Sequence, residues 1–260
     1  MEELKLNKEK KLKEIVSFLK KEFKKRKKKI AILALSGGID SALCAYLCKK
    51  AGLELYAVIL PYKKNGADGE KLAKTLKLPK NHIININIAP LVDSAVREIS
   101  KFIKIGQVDK GNIMARQRMV IQYALARKLN GLVVGTENLS EYYLGYFTLY
   151  GDQACDISPI AGLWKCQVYE LARYLGVPKF VLEKEPTAGL WPGQTDEGEF
   201  GFTYRDADQI MRLSIVKKYP KEKIIKKGFD LKTVNKVLER VKATEYKRQN
   251  PPKILFRQDN

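Results

Sequence analysis

The stretch "LSGGIDS", Leu35–Ser41, joins an apolar run, "KIAILAL", to a segment with helical character, "ALCAYLCKK". A strand, a turn with two glycines and a helix start gather backbone N–H groups at one point, where the helix dipole favours an anion. Gly37 and Gly38 have no side chain to obstruct a ligand, and Ser36 and Ser41 add hydroxyl donors. Asp40 would repel a phosphate unless a cation stood between them. A magnesium ion bridging carboxylate and phosphate oxygens removes that conflict. The stretch therefore reads as a pyrophosphate cradle with a metal ligand built in. It lacks the Gly-Lys-Ser/Thr ending of a Walker A loop and the spacing of the G-x-G-x-x-G fingerprint. The bland alternative is a helix cap on a glycine turn.

A second glycine turn, Gly135-Thr136, closes "GLVVGT", and Glu141 follows about one helical turn later. Glu141 can therefore reach the same crevice and complete a carboxylate pair with Asp40. Lys165 opens a helix, where the dipole disfavours a cation. That misfit favours a functional role over a solvated charge.

The elements that must position these residues alternate. "KIAILAL", "LELYAVILP", "HIININI" and "GLVVGT" read as strands. Between them lie helical patterns: one to about Lys50, one near 71–78, then "LVDSAVREISKFI" and "GNIMARQRMVIQYALARKL". Such alternation predicts an α/β fold, a doubly wound and mostly parallel sheet with helices on both faces. Ligands then bind beyond the carboxyl ends of the strands, where Gly37–Gly38, Pro61–Tyr62 and Gly135 all fall. "EKEPTAGLWPGQTDEGEFGF", residues 183–202, reads as a long loop of the kind that serves as a lid. The N-terminal 29 residues read as an amphipathic helix, with Leu12, Ile15, Val16, Leu19 and Phe23 on one face. That helix is expected to pack on a single domain spanning residues 30–260.

Composition limits the classes. The chain has 260 residues, 45% hydrophobic and 30% charged, which suits a folded globular protein. No apolar run approaches the ~20 residues of a membrane span, and no membrane partner is expected. Four cysteines without a CxxC pair and a single histidine argue against a zinc site or a disulfide framework, and fit a reducing cytoplasm. The net charge of +20 invites a nucleic-acid reading. That charge is concentrated in the two end segments, however, +8 over residues 1–29 and +9 over residues 217–260, away from the motifs. A nucleic-acid partner is therefore not expected, and the field would equally attract nucleotides.

The loop "LSGGIDS" resembles that of the N-type ATP pyrophosphatases, which cleave ATP between the α and β phosphates to make an adenylate. "GNIMARQRM", "VVGTENLSEYYLGYFTLYGDQACDISPIAGLWK", "EPTAGLWPGQTDE" and "TEYKRQNPP" together resemble the NAD synthetases of that group. The resemblance runs from about Ile30 to Pro252. It implies an adenine nucleotide alpha hydrolase-like fold, ATP as co-substrate, Mg²⁺ as cofactor and a homodimer. It places Ala34, Leu35, Ser36, Gly37, Gly38, Ile39, Asp40, Ser41, Thr136, Lys165 and Thr187 at ATP, with Asp40 and Glu141 on the metal. It places Arg116, Asp156, Tyr246 and Lys247 at the dinucleotide, and Asp152 where ammonia is handled. Two positions depart from the family pattern. Leu149 replaces a frequent lysine and Tyr246 a frequent histidine, so one dinucleotide contact is lost or supplied elsewhere.

The implied reaction is amidation of deamido-NAD⁺ to NAD⁺ through an adenylate. Free ammonia is the expected donor, because the synthetase pattern fills the chain and leaves no room for an amidase domain. A tRNA-thiolating enzyme is the rival suggested by the charge, but it lacks a placed catalytic cysteine. A non-catalytic nucleotide-binding module conflicts with the retention of both Asp40 and Glu141.

Overall fold

Asn7 starts the first helix, α1 (Lys8–Lys25), by accepting the Lys10 N–H on its side chain at 3.0 Å, an N-cap. Ile15, Leu19 and Phe23 recur on one face of α1 and are buried against helices further along the chain. Burying a ring such as that of Phe23 contributes about 2–3 kcal/mol. The computed structural model describes residue 4, residues 6–63 and residues 66–254.

Four parallel strands follow: β1 (Ile30–Ala34), β2 (Glu54–Ile59), β3 (Ile83–Asn85) and β4 (Leu132–Val133), in the order β3-β2-β1-β4. Helix α2 (Ile39–Lys50) links β1 to β2, and α3 (Ala67–Thr75) links β2 to β3. Helices α4 (Ala89–Ile99) and α5 (Gln107–Leu129) carry the chain back to β4. Leu33, Ala57, Ile59 and Leu132 point into one core, shared with α1, α2 and the later helix α7 (Lys165–Tyr174). Ile32, Val58 and Val133 point into another, shared with Val92 of α4 and Met114 and Ala126 of α5. With both faces covered, the strands read as near-continuous apolar runs. The chain order reverses between β1 and β4. In an open parallel sheet a crevice forms at such a switch point, beyond the strand carboxyl ends.

The remaining described α-helices are α6 (Leu139–Leu144), α8 (Lys179–Leu182), α9 (Asp196–Phe200), α10 (Tyr204–Met211), α11 (Lys221–Ile225) and α12 (Leu231–Ala243). A third apolar cluster, including Leu144, Trp164, Phe200, Met211 and Val237, ties several of them together. Cys44 and Cys48 are fully buried, as small hydrophobes. His82 stacks on Tyr56.

Several boundaries differ from the sequence expectation, three of them informatively. Helix α3 begins at Ala67, ahead of position 71, because Asp68 and Glu70 in its first turn suit a helix N-terminus. In the polar stretch before it, Lys64 and Asn65 lie outside the described residues. Strand β3 has only three residues, since it is an edge strand paired to β2 alone. Residues 183–202 are not all loop: Thr195 caps α9 by accepting the Gly198 N–H at 3.2 Å. The glycines in that stretch hid the cap.

Candidate active site

The turn after β1 has the shape the glycines predict. Gly37 takes φ +80°, and Gly38 becomes the N-cap of α2. Ser36 Oγ accepts the Gly38 N–H at 3.2 Å and lies 3.1 Å from Ser41 Oγ, which donates to the Gly38 carbonyl at 2.9 Å. The two hydroxyls thus hold the turn in shape. Ala34, Leu35, Ser36, Gly38, Ile39, Asp40 and Ser41 line one cleft of about 1530 Å³. A pocket for one small ligand is roughly 300–1,000 Å³, so this cleft has room for two.

Asp40, Glu141 and Lys165 meet in that cleft. Lys165 Nζ donates to Asp40 Oδ2 at 2.7 Å and to Glu141 Oε1 at 3.0 Å, and the lysine is only 3% exposed. Burial by itself would depress the lysine, but the two carboxylates outweigh it and push its pKa up, so it is an ammonium. Burial pushes Glu141 up to about 8, with Asp40 adding to the rise and Lys165 opposing it.

Local structure fixes the three groups. Asn138 is fully buried and caps α6, accepting the Ser140 and Glu141 N–H groups at 3.0 Å each. Its Nδ2 donates to Asp40 Oδ1 at 2.8 Å. Asn138 thereby orients both acids at once, and its N-x-x-E spacing to Glu141 is a capping-box signal that marks it in the sequence. Behind Lys165, Ser140 Oγ accepts the Lys165 N–H at 2.8 Å and donates to Asp208 Oδ1 at 2.5 Å.

Asp208 carries a pH prediction. It is fully buried, and burial pushes its pKa up to about 6 from 3.8. The folded state therefore holds this proton more tightly than the unfolded chain does. Its contribution to stability is present below about pH 4 and is lost as pH rises through about 6, to the extent of about 3 kcal/mol. Asp208→Asn should flatten the pH dependence of denaturant midpoints over that window. An unchanged slope would contradict the assignment.

A further part of the cleft wall is built from residues 184–196, with Lys184, Pro186, Thr187, Leu190, Gln194 and Asp196 all on it. Thr187 Oγ1 donates to the Gln194 carbonyl at 2.7 Å, and Gln194 Oε1 accepts the Leu190 N–H at 2.7 Å. Lys184 pairs with Asp68 at 2.5 Å, tying this segment to the start of α3. Asp196 Oδ2 accepts from Tyr204 at 3.0 Å.

At another corner of the cleft, Asp152 Oδ1 accepts the Thr148 N–H at 3.0 Å. Asp152 keeps accessible surface but is walled by protein on its other sides, and that enclosure raises its pKa. Lys247 also lines the cleft and donates to the carbonyls of Gly145 and Phe147 at 2.8 Å each. Burial lowers its pKa.

The cleft thus gathers Thr136, Glu141, Asp152, Lys165, Thr187 and Lys247 beside the residues of the glycine turn. Other expected site residues lie outside it. Arg116 is exposed, with Nε donating to the Leu149 carbonyl at 3.3 Å. Asp156 is exposed and accepts the Val133 N–H at 2.8 Å, which anchors the end of β4. Tyr246 is 63% exposed. Asp68, Lys184, Asn138, Arg118 and Asp196 line or order the cleft although the sequence reading did not single them out. Among the described residues, no group of three or more His, Cys, Asp or Glu side chains could by itself hold a metal.

Comparison with known proteins shows the family. The NAD synthase family model matches residues 11–251. The NH(3)-dependent NAD(+) synthetase of Fusobacterium nucleatum subsp. nucleatum is 41% identical over 254 residues, covering 96% of this chain and 97% of that protein. The structure of NMN synthetase from Francisella tularensis superposes with a TM-score of 0.84 at 34% identity, covering 97% of this chain and all of that one. The NH3-dependent NAD synthetase from Campylobacter jejuni, solved with a nitrate ion, gives 0.79 at 29% identity, covering 96% of this chain and 100% of its own. The fold is adenine nucleotide alpha hydrolase-like, as its parallel sheet and structural neighbours require. A glycine turn at the switch point, beside an aspartate and a glutamate that share one lysine, is thus found in a chain that belongs to the NAD synthase family.

Proposed function

We propose that the protein amidates deamido-NAD⁺ to NAD⁺ with ATP and free ammonia, releasing AMP and pyrophosphate. The observation that carries this reading is the convergence of Asp40, Glu141 and Lys165 beside the N-terminus of α2. Oxygens of both acids already meet one cation, the lysine ammonium, within 3.0 Å. Hard carboxylate oxygens so arranged fit magnesium. Bound by Asp40 and Glu141, that ion would offset charge on the phosphates.

The chain's own groups supply the rest. N–H groups at the start of α2 face the pyrophosphate, and Lys165 adds ammonium donors to it. The acceptor carboxylate forms a bond to the α-phosphorus as the bond to pyrophosphate breaks. Asp152, more basic than an ordinary aspartate because it is enclosed, takes a proton from ammonium. Ammonia then adds to the acyl carbon, and AMP leaves with the oxygen. No covalent nucleophile is needed, since positioning and electrostatics do the work. Residues 184–196 wall the adenylate off from water.

Arg116, Asp156 and Tyr246 gain access to substrate if the protein is a homodimer that binds the dinucleotide near the subunit boundary. Exposed apolar side chains support such a dimer: Leu91, Phe102, Ile103, Val108 and Val120, on or between the mutually packed α4 and α5. Phe102 is 90% exposed. Phe102→Asp should halve the mass seen in sedimentation while leaving the far-UV spectrum intact. An unchanged dimer, or a wild-type monomer, would count against this surface. The four cysteines are unpaired, which fits a cytoplasmic setting, and no described helix is long and apolar enough to cross a membrane.

A second reading, a mononucleotide acceptor, is favoured by one observation: the Francisella tularensis relative is an NMN synthetase. Leu149, which cannot donate a hydrogen bond from its side chain, is compatible with it. The deciding assay supplies ATP, Mg²⁺ and ammonium with either deamido-NAD⁺ or nicotinic acid mononucleotide. Our reading expects NAD⁺, AMP and pyrophosphate in equal amounts, with higher kcat/KM for the dinucleotide. ADP as product, or activity of the pure protein with glutamine alone, would refute it.

A further inference from the structure

Arg116 and Arg118 are two positions apart on α5 and so face different ways. Arg116 turns to the Leu149 carbonyl at the surface. Arg118 turns inward and lines the cleft. Its Nε donates to the carbonyl of Leu60 at 3.1 Å, just past the carboxyl end of β2. That bond pins the guanidinium where ligands of a parallel sheet bind. Its terminal nitrogens, four N–H donors, have no acceptor among the described residues, and no described carboxylate forms an ion pair with it. The acidic group that acts on it is Asp152, at longer range. A half-buried cation without a paired anion is unfavourable, and an incoming anion offsets that cost.

We infer that Arg118 binds the carboxylate that is to be amidated and keeps hold of one of its oxygens through the reaction. The fork of terminal N–H groups matches two carboxylate oxygens side by side. In the reaction proposed above the phosphates are held elsewhere, by Lys165 and the start of α2. Arg118 instead shares its corner with Asp152, Thr148 and Asn112, where Thr148 Oγ1 donates to Asn112 Oδ1 at 2.8 Å. This inference rests on the reaction proposed above, in which Asp152 handles ammonium. One carboxylate oxygen forms the bond to phosphorus, and pyrophosphate leaves with the electron pair of the broken bond. The other oxygen remains on Arg118 as the acyl carbonyl. When ammonia adds to the acyl carbon, the C=O electron pair moves onto that oxygen, where the guanidinium faces the new charge. One N–H proton is then lost to solvent, and collapse restores C=O and expels AMP.

The test is binding of deamido-NAD⁺, NAD⁺ and ATP to the full chain by calorimetry. The two dinucleotides differ only in carboxylate against amide. Arg118→Gln should weaken deamido-NAD⁺ on the order of 100-fold, with NAD⁺ and ATP unchanged. Arg118→Lys keeps charge without the fork, should weaken deamido-NAD⁺ roughly 10-fold, and serves if the glutamine variant does not fold. Equal loss for acid and amide, loss of ATP affinity, or no loss at all would each overturn the assignment. Wild-type protein that makes no NAD⁺ would overturn the reaction itself. An active wild type whose variants keep their preference for the acid would overturn Arg118 alone.

Discussion

Lys165→Ala should lower kcat on the order of 10³-fold and make folding stability respond more strongly to magnesium. Lys165 is 3% exposed and stands between Asp40 and Glu141, at 2.7 and 3.0 Å. Removing it leaves two facing carboxylates in a part-buried site without their cation. Breaking a buried ion pair from one side costs about 3–5 kcal/mol, and a proton on Glu141, already raised by burial, would recover only part of that. Magnesium bound by the two acids, as proposed above, would restore positive charge at the same point. In the wild-type protein it must compete with the lysine, and in the variant it need not. Thermal unfolding with and without Mg²⁺ should therefore show a larger metal-dependent rise in Tm for the variant. Equal rises, or a variant as stable as wild type without metal, would contradict the role given to this lysine.

Gly37→Ala should be the most damaging single-methyl change in the glycine turn. Gly37 has φ +80°, and a Cβ there would lie 2.4 Å from Asp68 Cβ and 2.9 Å from the Asp68 carbonyl carbon. The left-handed conformation costs roughly 1–2 kcal/mol for an L-residue, and the clash forces the start of α3 away from the turn. Asp68 is paired with Lys184 at 2.5 Å, so the displacement passes to the cleft wall at residues 184–196. A shift of about 1 Å at a positioning loop can lower the rate by ~10²-fold. We expect that loss in kcat/KM for ATP, with a reduced Tm. A variant with normal ATP kinetics would show that the turn does not approach the nucleotide. Gly52→Ala is the control that carries the backbone strain alone, since Gly52 is also at positive φ but an added Cβ there would meet nothing within 4 Å.

The sheet and the glycine turn were legible because their signals are local. An apolar run, two glycines and a capped helix lie within a few residues of one another. The pairing of Asp40 with Glu141 was legible as two acids placed after two strand ends. Lys165 was legible as a functional lysine, but its place between the two acids was not, because it reaches Asp40 across 125 positions and only the packed fold brings them together. Asn138 carries a capping signal that could have been read. That Arg118 and not Arg116 lines the cleft could not be read, since it depends on how α5 is rotated against the sheet. Helix α9 was hidden because its Thr195 cap sits in a stretch rich in glycine.

The most direct test of the central claim is a crystal structure with magnesium and a non-hydrolysable ATP analogue. We expect the β and γ phosphates against the N–H groups at the start of α2, the metal on Asp40 and Glu141, and Lys165 Nζ turned from both acids to the phosphates. A triphosphate bound elsewhere, with Lys165 still bridging Asp40 and Glu141, would contradict the account.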